Sequence, residues 1–335
     1  LKPMTQDDEV SYCALMRDQG NPHVKQATVF ISHAWKYDFL RVVDAILKHF
    51  EDEPDAVIWF DLFSNNQHKA VDLDFHWWST TFRTAIKDFG RVVVVLMPWN
   101  DPIPFTRAWC LFEMYTTIST GSELEVALDG AERETFLKEI CKDGKNFYKM
   151  LGDIDVRKSE AWNPDDLRRI FEAVEQMKGG FTEVNTVLRR AMTDWLTETL
   201  KESTNDNDIS VRTMLDRKLA FGVLMQDQGN YEAARVWLLP MLPHAAAEYG
   251  ERSIFTGKVY FNLASVLDDL GDYEKALKLY AICLNIREGA LGRKNMDVAE
   301  TLNNIGLVHK NMLNYSKADS YYSDALEIYV AAHAR

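Results

Sequence analysis

The run Trp109-Cys110-Leu111-Phe112-Glu113 is where this sequence gathers residue types that do chemistry. On a helix, Trp109 and Glu113 are i and i+4 and share a face. A carboxylate beside an indole in a partly dry cleft has a raised pKa and can hydrogen-bond a sugar hydroxyl. Trp35, in an earlier loop, is the further aromatic expected to line that cleft. Spacing alone also fits a plainer arrangement, with Trp109 in the core and Glu113 a surface acid. Cys110 reads as a packed helix residue rather than a nucleophile.

Something must hold that run in place, and the first two-thirds of the chain alternates short apolar runs with helical patterns. Residues 4–19 read as a short helix with Thr5 as N-cap. Ala27–Ser32 (ATVFIS), Ala56–Phe60 (AVIWF), Val92–Met97 (VVVVLM) and Leu124–Leu128 (LEVAL) read as strands. Asp153–Val156 is a candidate fifth strand. Phe39, Val42, Val43, Ile46, Leu47 and Phe50 have helical spacing. So do Trp77, Trp78, Phe82, Ile86 and Phe89. Further helices are expected over 106–118, 131–142, 164–177 and 181–201. A run apolar on both faces, such as 92–97, belongs inside a parallel sheet covered by helices. The alternation predicts an open, mostly parallel α/β sheet whose ligands bind at the carboxyl ends of the strands. Those ends are Ser32-His33-Ala34-Trp35, Asp61-Leu62-Phe63-Ser64-Asn65, and the loop entering helix 106–118.

The last third repeats itself. Gly229-Asn230-Tyr231, Gly271-Asp272-Tyr273 and Leu313-Asn314-Tyr315 are spaced by 42 residues. Small residues recur at 222/264/306 and 234/276/318, where paired helices must approach closely. Each unit has an apolar face that only a neighbour can bury. The polar stretch Ser203–Asp208 reads as the linker into this array.

Composition narrows the partners. The 335 residues suggest about two domains. The net charge of −13 argues against a nucleic-acid or anionic membrane partner. No apolar run is long enough to span a bilayer. Four scattered cysteines and the absence of a leader pattern point to a reducing, cytoplasmic location. Neither G-x-G-x-x-G, G-x-x-x-x-G-K-[ST] nor H-E-x-x-H occurs, so no dehydrogenase, P-loop enzyme or zinc site is expected.

Two resemblances extend this reading. The repeats over 211–335 resemble tetratricopeptide repeats in a 42-residue form, and 291–305 resembles the repeats of kinesin light chains. The resemblance implies an all-α solenoid in which Asn262 and Asn304 face a groove and bond a peptide or protein partner. The earlier region resembles the Toll/interleukin-1 receptor (TIR) domain over 27–160. Phe30-Ile31-Ser32, Trp59-Phe60-Asp61 and Arg107-Ala108-Trp109-Cys110-Leu111-Phe112-Glu113 carry it, the last resembling a plant-type S-x-W-C-L-x-E-L pattern. Residues 62–73 stand where that family has a variable loop.

The TIR resemblance implies a flavodoxin-like parallel sheet and hydrolysis of NAD+ at its bond to nicotinamide, with ADP-ribose or a cyclised form as product. NAD+ would be substrate, with no resident cofactor and no metal. It maps catalysis onto Glu113, and substrate contacts onto Ser32, His33, Ala34, Trp35, Asp61, Phe63, Ser64 and Trp109. Self-association through the TIR-like domain is a further implication. The domain order then reads as an N-terminal extension (1–26), a TIR-like domain (27–160), a helical connector (161–205) and three repeats (206–335). His33-Ala34-Trp35 departs from the family, which has an arginine there for the phosphates; Lys36 or Arg107 could substitute. The alternatives are a non-enzymatic signalling scaffold, and a hydrolase of another nucleoside or nucleotide using the same pocket.

Overall fold

The computed structural model describes residues 2–6, 9–68, 75–142, 144–206 and 208–333. Asp72–Asp74 and the side chains of Trp77, Trp78 and Phe82 lie outside the described residues. The chain divides into two compact units, Leu1–Leu196 and Thr197–Arg335.

In the first unit, β1 (Val29–Ser32), β2 (Ile58–Phe60), β3 (Arg91–Val95) and β4 (Glu123–Ala127) form a parallel sheet in the order β2-β1-β3-β4. Its helices are α1 (Tyr12–Asp18), α2 (Phe39–His49), α3 (Asp61–Ser64), α4 (Phe75–Phe89), α5 (Ala108–Ser119), α6 (Gly130–Lys142), α7 (Lys145–Asp153), α8 (Pro164–Gln176) and the greater part of α9 (Gly180–Ser203), whose last residues from Thr197 on belong to the second unit. The chain runs from β1 out to β2, then back across β1 to β3 and on to β4. That reversal opens a crevice at the carboxyl ends of β1 and β3.

Alternation along β1 decides which side chains meet. Val29 and Ile31 share a face with Val93 and Val95, and pack against Val42, Ala45 and Ile46 of α2. Phe30 and Ser32 therefore point to the opposite face. At the other edge of the sheet, the amino ends of the strands are tied by charge. Arg91 makes a fork of 2.7 and 2.9 Å to Glu53 and also bonds Glu125. His49 Nε2 lies 2.6 Å from Glu125. Burial opposes ionisation of Glu125, but His49 and Arg91 outweigh it and hold this carboxyl at about 2.

Three sequence expectations are corrected. Residues 4–19 are not one helix: a 3-10 turn over Lys2–Met4 precedes α1, which Ser11 caps by accepting from Ala14 N–H. The cap of α1 is thus Ser11 and not Thr5, which is buried with its hydroxyl 2.8 Å from His68 Nε2. The fifth strand is absent, because 153–158 closes α7 and forms a 3-10 turn. The polar run 203–208 is not a free linker. Ser203 and Thr204 are buried, and the Ser203 carbonyl accepts a 3.0 Å bond from the buried Arg217.

The second unit is all helical: α10 (Val211–Asp227), α11 (Tyr231–Leu238), α12 (Met241–Tyr249), α13 (Ile254–Asp269), α14 (Tyr273–Leu291), α15 (Met296–Asn311) and α16 (Tyr315–His333). These pair as α10 with α11–α12, α13 with α14, and α15 with α16. Pro240 separates α11 from α12, where it removes a helix N–H. Arg287 crosses between repeats from a buried position. It donates to the Asp297 carbonyl, to Thr301 at 2.8 Å and to Glu300 at 3.0 Å, and it lies over the Phe261 ring.

Close packing explains the small residues. A Cβ on Gly222 would sit 2.4 Å from Leu238, itself fully buried, and one on Gly306 would sit 2.8 Å from the Tyr322 ring. The turns need positive φ. Gly229 (76°) and Gly271 (78°) supply it, but the third turn places Leu313 there at 62°.

Two stability predictions follow from these positions. Leu313→Gly relieves left-handed strain of about 1–2 kcal/mol against roughly 0.5–1 kcal/mol of glycine entropy. Leu313 is 70% exposed, so little packing is lost. A small rise in thermal midpoint is expected by calorimetry. Gly222→Ala should destabilise the repeats by about 1–3 kcal/mol through overpacking, read by chemical denaturation.

Candidate active site

Ser32 ends β1 and Glu113 sits one turn into α5, which follows β3. The sheet brings them together across 81 positions of sequence. The Ser32 hydroxyl donates a 2.7 Å bond to Glu113 Oε2. Both are buried, at 1% and 8% exposure. Burial pushes the Glu113 carboxyl up to about 8; the bond from Ser32 opposes this and the nearby Asp61 adds to it. In this closed state the carboxyl favours its protonated form at neutral pH.

A second cluster lies at the same edge. Asp61 opens α3 directly after β2. Its Oδ2 accepts a 2.7 Å bond from Trp35 Nε1. Its Oδ1 is 3.3 Å from His33 Nε2, an ion-pair distance without hydrogen-bond alignment. Burial lowers the pKa of His33, against the pull of Asp61, and raises that of Asp61, against His33, Trp35 and the Leu62 N–H. The His33 ring meets Phe60 edge-on at 4.6 Å. Trp35 itself is 68% exposed. A half-buried carboxylate thus orients a solvent-facing indole.

The remaining expected residues are spread around these two clusters. Ala34 is buried. Phe63 packs on Phe39 and Phe60 at 6.0 and 5.6 Å, and Ser64 Oγ lies 3.9 Å from Cys13 Sγ. Trp109 turns toward α8: its Nε1 donates to Asp166 Oδ2 at 3.4 Å and its ring meets Phe112 edge-on. Cys110 donates to the His33 carbonyl at 3.5 Å, and burial drives its thiol pKa far up, which excludes a resting thiolate. Asn262 and Asn304 belong to the second unit, on α13 and α15. The Asn262 amide donates to the Lys258 carbonyl of its own helix at 2.8 Å.

Sequence reasoning missed a cation at this edge. Arg41, at the start of α2, bonds Asp129 at 2.9 Å and Glu132 at 3.1 Å, beyond β4. Glu132 also accepts from the Trp99 N–H at 2.9 Å. The only foresight available was an arginine one turn into a helix that follows a strand.

Protonation of Glu113 is linked to stability. Its folded pKa of about 8 exceeds the ordinary 4.5, so the folded state holds the proton more tightly. The contribution of Glu113 to stability should therefore be greatest below about pH 4.5 and fall as pH rises toward 8, by up to about 1.4 kcal/mol per pH unit. Glu113→Gln should flatten this slope, so its thermal midpoint gains on the wild type at pH 8 more than at pH 5.

Comparison with known proteins bears on the second unit. A family model described as tetratricopeptide repeat matches residues 217–288 and 262–329. No match to a curated protein was found. Among solved structures, the crystal structure of BtubC (BKLC) from P. vanneervenii is similar, at 16% identity over 79% of this chain and 93% of that chain, with a TM-score of 0.37. Residues 217–329 are tetratricopeptide repeats.

Proposed function

We propose that the first unit is a TIR-like, flavodoxin-like domain that hydrolyses NAD+ at the nicotinamide–ribose bond. The observation that carries this reading is the buried Ser32–Glu113 pair at the reversal of a parallel sheet. Nicotinamide leaves as a neutral ring when the C–N bond breaks and its electron pair returns to nitrogen, so no general acid is needed. What the step needs is negative charge beside the ribose, where positive charge develops. Glu113 is the group for that role. Approach of the cationic nicotinamide ring favours its ionised form, offsetting the burial that raises its pKa. Ser32 fixes the carboxylate. Water then adds to the ribose carbon and loses a proton to solvent, giving ADP-ribose; internal attack by the molecule's own adenine, with loss of a proton in the same way, gives a cyclised product. Trp35 offers an oriented ring at the entrance, and Lys36 and Arg107 are the candidate phosphate contacts, Arg41 being engaged by Asp129 and Glu132.

Tetratricopeptide repeats suggest protein partners for the second unit. In this reading the repeats assemble or restrain the first unit, with Asn262 and Asn304 on the peptide-facing helices and self-association of the TIR-like domain completing the pocket. The 8% exposure of Glu113 favours one competing reading, a signalling scaffold with a closed and unused pocket. Nicotinamide release separates the two. The purified chain, dilute and crowded, should release nicotinamide from NAD+, and Glu113→Ala should reduce the rate at least about a thousandfold while retaining the fold by circular dichroism. Equal release by the variant, or no release from the wild type under any condition, would overturn the assignment in favour of the scaffold.

A further inference from the structure

The segment before β1 lies against the part of the candidate site that follows β2. Tyr12 of α1 meets the Phe63 ring at 5.6 Å. Cys13 Sγ is 3.9 Å from Ser64 Oγ. The Glu9 carbonyl accepts a 2.7 Å bond from the Asn66 amide. Thr5, 3% exposed, shares a 2.8 Å hydrogen bond with His68. Four residues of the strap thus meet four residues of segment 61–68, with Thr5 and Glu9 at its far end and Tyr12 and Cys13 nearer β2.

These contacts reach the chemistry in one step. Asp61 heads the segment that the strap holds, and it bonds Trp35 and faces His33. Phe63 links the same segment to Phe60 at the end of β2. The attachment is nonetheless shallow. α1 has seven residues and no fully buried side chain. A helix so short is not stable on its own and depends on its docking. Glu9 is held at φ 49°, a left-handed conformation that costs a non-glycine residue free energy. Partial burial of α1 and local strain at Glu9 describe an element that opens well below the cost of global unfolding.

We propose that residues 9–18, together with Thr5, are a releasable strap: docked, they hold segment 61–68 in place and keep the Ser32–Glu113 site closed; released, they let that segment move and the site open. As a gate on catalysis it rests on the glycohydrolase reading, but as a mechanical coupling it does not. The site is closed here, since Glu113 is buried on Ser32. Binding of a partner to the strap, or its displacement on assembly, would be the natural trigger.

Amide hydrogen exchange on the full chain tests the coupling. Thr5→Val/Tyr12→Ala should speed exchange at 61–68 and at 109–116 about tenfold or more, with 91–95 unchanged. Faster exchange confined to the strap would overturn the proposal, as would opening of 61–68 without 109–116. Ser64→Cys places a second thiol within reach of Cys13. Oxidation should slow exchange at 61–68 in that variant, and reductant should restore it; no difference between the two states would also overturn the strap. Nicotinamide release is followed in parallel. If no form releases it, the glycohydrolase reading fails, while the exchange data still decide the strap. If release occurs, it should be higher in the double variant than in the wild type, and lower in oxidised than in reduced Ser64→Cys.

Discussion

A buried carboxyl is costly unless something bonds it, and the Ser32–Glu113 hydrogen bond is the constraint on which the first unit turns. It exists because β1 is the innermost strand before the chain reverses, and because alternation along β1 sends Ser32 to the face opposite α2. The same alternation sends Val29 and Ile31 into the other core. Moving the register of β1 by one residue would exchange the two sets and leave Glu113 buried without a donor. The serine is thus fixed by the packing of valines and isoleucines it never touches.

Charge is segregated along the sheet. At the amino ends of the strands, Arg91, Glu53, Glu125 and His49 form a satisfied ionic network in which Glu125 stays ionised. At the carboxyl ends, burial wins over pairing: Glu113 and Asp61 are both raised and His33 is lowered. One edge keeps its carboxylate ionised through pairing, and at the other burial favours the neutral forms of all three groups.

The repeats solve a different problem. Their stability comes from nearest-neighbour burial, so the 42-residue step reappears as repeated contacts. Gly222, Ala264 and Gly306 occupy one position and show how much room each pair of helices leaves. Ala264 keeps a Cβ, whereas Gly222 and Gly306 cannot. Arg287 is an irregularity within this regular scheme, a buried guanidinium satisfied by the carbonyl of Asp297, by Thr301 and by Glu300.

By itself the sequence determined what depends on local pattern. The valine run at 92–95 could only be an inner parallel strand, the recurrence of tyrosine at 231, 273 and 315 could only be a stacked array, and Trp109-Cys110-Leu111-Phe112-Glu113 had to lie on one helix. Only the tertiary structure decided what depends on partners far apart in the chain. Trp109 and Glu113, expected on one face, diverge: Glu113 is drawn to Ser32 by the sheet, and Trp109 to Asp166 by α8. Thr5, which has the residue type and setting of a helix cap, is instead buried against His68. No periodicity records such pairings, because a hydrogen bond between residues 81 or 63 positions apart leaves no mark on the residues between them.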